Sequence, residues 1–139
     1  MSSLDGVEFA HAQVEFLRSF EAIQEAAHTV NRANGWWKER ETINRLLADQ
    51  DIDNTPHMVI ELLGLVTSEV AEAMEAARKH DPVTWGDPAT KDTLVRELAG
   101  TIVRCMDLAK FLNAPLAEAI IEEITANAER GFRHGGKAA

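Results

Sequence analysis

Apolar residues recur at helical spacing along almost the whole chain, and no alternating apolar/polar run of useful length breaks that period. A period of 3.6 without a period of 2 predicts helices and no strands. Start and stop signals then divide the chain. Val7, Ala10, Val14, Leu17, Ile23, Ala27 and Val30 form the apolar stripe of a first helix from about Asp5 to Asn34, which Gly35 terminates. Glu39 to Ala48 predicts a short second helix, and Asp49–Asn54 a polar turn. Thr55-Pro56, a cap followed by a proline in the first turn, opens a third helix that runs to about Lys79. His80 to Thr90, rich in Asp, Pro and Gly and carrying Trp85, reads as a loop. The fourth helix spans roughly Lys91 to Leu112. Asn113-Ala-Pro115 repeats the cap-and-proline signal before a fifth helix to about Arg130, which Gly131 ends. Residues 132–139 read as a flexible basic tail.

A chain of 139 residues with 45% hydrophobic content suits one domain, residues 1–139, with a single core. About five helices with short links predict an all-α antiparallel bundle. The third and fourth helices carry more apolar surface than one small bundle can hide, so a homodimer or homotetramer is expected. There is no apolar run long enough to span a membrane, and no basic region followed by an apolar block that would mark a secretory signal. The single cysteine, Cys105, lies in an apolar stretch and reads as a small buried hydrophobe; with no disulfide framework, a cytoplasmic setting is expected. The net charge of −9 argues against binding a nucleic-acid backbone, although small anions remain accessible through a cation or a local basic cluster. The dense basic cluster is Arg130, Arg133, His134 and Lys137.

The chemistry concentrates in two runs, Ser68-Glu-Val-Ala-Glu-Ala-Met-Glu-Ala76 and Val95-Arg-Glu-Leu-Ala-Gly100. Glu69 and Glu72 are three residues apart, neighbours on one helix face. Glu97 offers a third acid from the next helix. Three carboxylates on facing helices can hold a hard cation such as Mg2+, with Mn2+ an alternative, and such an ion grips phosphates. The residues alone also allow a solvated stripe of acids paired with Lys or Arg. The third helix is apolar over a wide arc, which predicts a central place in the bundle with Glu69 and Glu72 close to the core. Gly100, one turn after Glu97, implies a close helix approach or a vacated side-chain site, because glycine costs about 1 kcal/mol against alanine inside a helix. On the second of these, Gly100→Asp is expected to restore a fourth ligand. Arg104 lies on nearly the same face as Glu97, whereas Asp107 is about 15 Å along the axis and too far to share its ion.

Glu8-x-x-His11 and Glu25-x-x-His28 match the Glu-x-x-His of di-iron bundles, but both pairs fall on one helix and out of phase, so they read as surface residues. Trp36, Trp37 and Trp85 read as core or dimer contacts, or as aromatic surfaces near a site.

Glu-x-x-Glu on one helix followed by the second motif resembles the MazG-like superfamily of all-α NTP pyrophosphatases. Ser68–Ala76 is similar to its first motif. Arg96-Glu-Leu-Ala-Gly100 with Ile102-Val103 and Met106-Asp-Leu-Ala109 is similar to its second. Gly35-Trp-Trp37 and Asn127-Ala-Glu-Arg130-Gly-Phe-Arg-His-Gly-Gly-Lys137 resemble its entry and its terminus. Gly100 stands where the family has aspartate, and Glu123 where many members carry lysine. The resemblance implies Mg2+-dependent hydrolysis of a nucleoside triphosphate to monophosphate and pyrophosphate, as in nucleotide-pool housecleaning. It implies Glu69, Glu72 and Glu97 as catalytic metal ligands. It implies Asn127, Arg130, Arg133 and Lys137 as phosphate donors, and Trp36 or Trp37 as a base-stacking surface. The alternative is a nucleotide- or metal-binding homologue of the same fold with weak or no turnover.

Overall fold

The structure is a computed structural model that describes residues 6–79, 85, 87, 90 and 92–130, with the backbone alone for residues 6, 7 and 9. The described residues form five helices and no strand: α1 (Gly6–Ala33), α2 (Lys38–Ala48), α3 (Thr55–Lys79), α4 (Leu94–Phe111) and α5 (Leu116–Arg130). None of them is long and apolar enough to cross a membrane.

Local chemistry explains the boundaries. Gly35 takes φ +86°, and the Trp36 N–H reaches back to the Asn31 carbonyl at 3.1 Å, closing α1 with a left-handed glycine. α3 starts one step differently from the expected threonine cap. Thr55 is already helical, and its N–H donates to the Asp53 carboxylate at 2.9 Å. α4 begins at Leu94 rather than near Lys91, because Thr93 is extended and its hydroxyl accepts from the Arg96 N–H. Asn113 caps nothing downstream. It sits at φ 53° and ends α4, with the Ala114 N–H on the Ala109 carbonyl at 2.9 Å; Pro115 then precedes α5.

The bundle is centred on α4, not on α3. α4 packs along α3 and also against α1, which in turn meets α5. α4 buries Glu97, Met106, Asp107, Leu108 and Ala109, while α3 buries only Met58 and Ala73. The outer arc of α3, with Ile60, Leu63, Val70 and Met74, is exposed. The wide apolar arc of α3 is real, but its excess faces outward in the single chain. Glu69 faces Gly100 and Arg104 while Glu72 acts on Glu97, so α3 and α4 run antiparallel where they meet.

Much of the apolar stripe of α1 also faces outward, although Leu17 and Ala27 are half-buried. Val14, Ile23 and Val30 are 61%, 59% and 56% exposed. The inward face presents Gln24, His28 and Asn31, because α4 offers these side chains directional partners: the Met106 carbonyl and the Asp107 carboxylate. Cys105 is half-buried rather than buried, and that burial pushes its thiol above the usual range.

Candidate metal centre

Antiparallel packing of α3 on α4 brings Glu69, Glu72 and Glu97 together. One carboxylate oxygen from each lies within 4.8 Å of the others. Opposite oxygens around a six-coordinate Mg2+ are about 4.2 Å apart, given ligand distances of about 2.1 Å. The trio is therefore close to the span of one ion's shell. Their environments differ. Glu72 is exposed and Glu69 half-buried, so only Glu69 of this pair lies near the core. Glu97 is 7% exposed. Its carboxyl is pushed above the usual carboxylate range, first by burial, then by the charges of Glu72, Glu69 and Asp92 and by a hydrogen bond with Glu69. An acid held in such surroundings gains most from a cation that neutralises it.

One cation already reaches the cluster. Arg104 donates from Nε to Glu69 Oε1 at 2.8 Å, and its Nη2 lies 2.7 Å from the same oxygen. The other Glu69 oxygen hangs over Gly100, where a Cβ would collide with it. Gly100→Asp therefore cannot add a ligand to an otherwise unchanged site, because the new side chain would enter space that Glu69 holds.

Beside the trio lies a cleft of about 280 Å3, whose wall includes Trp36, Arg40, Glu69, Gly100, Arg104 and Asp107. Glu69 and Gly100 thus belong to both the acid cluster and the cleft. Trp36 is 51% exposed, and the Arg104 guanidinium lies 5.8 Å from its ring centroid. Arg40 donates to the Trp36 carbonyl at 2.8 Å and to Glu61 at 2.5 Å, while its buried Nε has no hydrogen-bond partner among the described residues. Arg40 and Arg104 were not singled out as ligand contacts by the motifs. Their positions, four after Trp36 and seven after Glu97, are the signal that places them on those faces.

The neighbouring tryptophan has another role. Trp37 is 2% exposed, and its ring stacks on Phe111 with centroids 4.3 Å apart. His28 packs beside it at 5.5 Å. With its ring covered, Trp37 cannot stack on a base. Its Nε1 instead points at both Asp107 oxygens, 3.1 Å from each. Asp107 also takes Asn31 Nδ2 at 2.8 Å and pairs with His28 Nδ1 at 2.5 Å. His28 is therefore buried, not a surface residue, because Asp107 needs donors in the interior. Glu8 and His11 are exposed, and Glu25 pairs with Lys110 at the surface.

Asn127 and Arg130 are exposed, and neither lines the cleft; Arg130 donates to Asn127 at 3.1 Å and lies 3.7 Å from Glu123. Arg133 and Lys137, with the tail that carries them, lie outside the described residues. Trp85 is half-buried and its carbonyl accepts from the Val95 N–H at 3.3 Å; most of the segment around it is also outside the described residues. No family model, curated protein or solved structure matches the chain.

Proposed function

We propose that this chain is a divalent-metal-dependent nucleoside triphosphate pyrophosphohydrolase of MazG-like type, with Glu69, Glu72 and Glu97 as the metal ligands. The observation that carries the reading is the convergence of three acids around a buried Glu97 carboxyl at the edge of a cleft. Hard oxygen donors in this arrangement suit Mg2+ or Mn2+. A bound ion there supplies charge neutralisation for phosphate oxygens and an activated water. The chain's own groups do the rest. Trp36 presents an open ring face to a base. Arg40 and Arg104 put two guanidinium charges in the cleft wall, both suited to phosphate oxygens. The exposed apolar residues of α3, with Leu98 and Ile102 on α4, support burial against a second copy in a homodimer or homotetramer.

The second reading, a nucleotide- or metal-binding protein with weak turnover, draws on Gly100. The position lacks a carboxylate, and Arg104 already neutralises part of Glu69. A pyrophosphate-release assay over canonical and damaged NTPs with Mg2+ or Mn2+ decides between them. Pyrophosphate and monophosphate in equal amounts are expected. Tight Mn2+ binding with no release from any substrate would replace the first reading with the second. Absence of both binding and release would end both. Light scattering is expected to give a mass above the 15.4 kDa of one chain; a monomer at micromolar concentration would refute the assembly.

A further inference from the structure

Gly100 looks like a missing ligand only when α4 is considered alone. Across the helix pair its place is taken. A Cβ at position 100 would collide with Glu69 Oε2 and lie 3.1 Å from Cδ and 3.8 Å from Cγ. Non-bonded carbon and oxygen atoms do not approach so closely, so the Glu69 carboxylate occupies the volume that a side chain there would need and would have to swing away from it. Its remaining oxygen is held from the next turn of the same helix, because Arg104 follows Gly100 by four residues and reaches Glu69 Oε1 with both Nε and Nη2. A directed hydrogen bond from Nε, with the charge at Nη2 beside it, fixes the carboxylate more tightly than a single point charge.

We propose that Gly100 and Arg104 form a seat for the Glu69 carboxylate. Gly100 leaves the room, and Arg104 supplies the charge and the direction. The seat holds Glu69 in place beside Glu72 and Glu97 before any ion arrives. Arg104 is thus a positioning residue of the metal cluster. It also sets the charge of that cluster. Three ionised carboxylates and one guanidinium carry two net negative charges, which one divalent ion neutralises. Asp92 and Arg96, which line the adjoining recess, add one charge of each sign and leave that balance unchanged. The site accordingly takes one ion per chain. This last step rests on the metal reading given above; the seat itself does not.

The seat is tested in the metal-free, full-length chain by a double-mutant cycle of Glu69→Gln and Arg104→Gln, read by thermal and urea unfolding. A measurable coupling is expected in the wild-type background, and its loss in the Gly100→Ala background. Gly100→Ala should itself keep its helical content and melt no lower than wild type, since alanine suits a helix interior better than glycine. No coupling in wild type, or the same coupling with Gly100→Ala, overturns the seat. The consequence for the ion is read by calorimetric titration with Mn2+. Wild type is expected to bind one Mn2+ per chain, and Gly100→Ala to bind it at least about tenfold more weakly, as for loss of a group that orients a ligand. Two ions per chain, or equal affinity in both proteins, overturns the link to the metal. If wild type binds no Mn2+, the metal reading falls while the coupling result still decides the seat. Should Gly100→Ala not fold, the wild-type cycle still decides the seat, and Arg104→Lys, which keeps the charge but not the planar guanidinium, takes its place in the titration: weaker Mn2+ binding is expected, and equal affinity overturns the link to the metal.

Discussion

α4 carries two buried carboxylates with opposite surroundings. Asp107 is ringed by donors: His28 and Asn31 from α1, and the Trp37 indole. Glu97, ten residues earlier, is ringed by acids: Glu72, Glu69 and Asp92. Both residues are less than a tenth exposed. A buried charge is costly unless it is paired. The fold compensates Asp107 internally, with partners from two other segments. It does not do so for Glu97, whose environment holds its carboxyl above the ordinary range. The difference separates a carboxylate paired within the bundle from one whose surroundings leave its charge uncompensated.

The largest effect that tests this contrast is at Asp107. Asp107→Ala leaves three donors facing an empty site and should destabilise the fold by about 3–5 kcal/mol, measured by urea unfolding. A loss below about 1 kcal/mol, the size of an ordinary exposed pair, would break the contrast from the Asp107 side. Glu97→Gln should do the reverse. It should leave stability intact or raise it, yet reduce pyrophosphate release by at least about 100-fold, since loss of an ion ligand exceeds the effect of its outer partners. Undiminished release would remove Glu97 from the chemistry.

Proton linkage gives a smaller and sharper test. The folded Glu97 carboxyl binds its proton more tightly than the unfolded one, so its contribution to stability is fully present below the ordinary carboxyl value of 4.5. That contribution is lost as pH rises from there through the raised folded value. The melting temperature of metal-free wild type relative to Glu97→Gln should therefore fall with rising pH across that window. Mn2+ affinity should move the other way and weaken as pH falls through the raised value, because the ion displaces the proton. A pH-independent difference between the two proteins would contradict the buried, acid-facing position of Glu97. The smallest effect is expected at a third acid partner of α4. Glu25 pairs with Lys110 at the surface, and Glu25→Gln should leave the melting temperature unmoved.

Much of the fold is legible in the residues because its boundaries are chemical. Gly35 stops α1 wherever α1 packs, and Thr55-Pro56 lies at the head of α3 whatever the exact cap. The approach of Glu69, Glu72 and Glu97 is legible in part: i, i+3 spacing and a facing helix allow it, but the same residues equally allow a solvated stripe, and only the packing of α3 on α4 brings the three together. The orientation of α1 is not. Val14, Ile23 and Val30 of its apolar stripe point outward while Gln24, His28 and Asn31 point inward, because the partners that make these three good interior residues lie more than 70 positions away. Periodicity weighs a residue by its own polarity and knows nothing of such a partner. Trp36 and Trp37 are equally alike on paper. Only the packing of Phe111 against one of them separates a covered ring from an open one. Arg104 was visible on the face of Glu97, but its grip on Glu69 depends on how far α3 and α4 slide along each other.

The polar seam between α1 and α4 has a geometric consequence. Apolar surfaces tolerate sliding, because one methyl group serves nearly as well as the next. Hydrogen bonds do not. A shift of α1 by one helical turn, about 5.4 Å, would strip Asp107 of its donors and Gln24 of its acceptor. The seam therefore indexes the two helices like teeth on a rack. Asn31 is one of those teeth, and Trp36 follows it by five residues across the Gly35 turn. The height at which Trp36 meets Arg104 is thus set by bonds that neither residue makes.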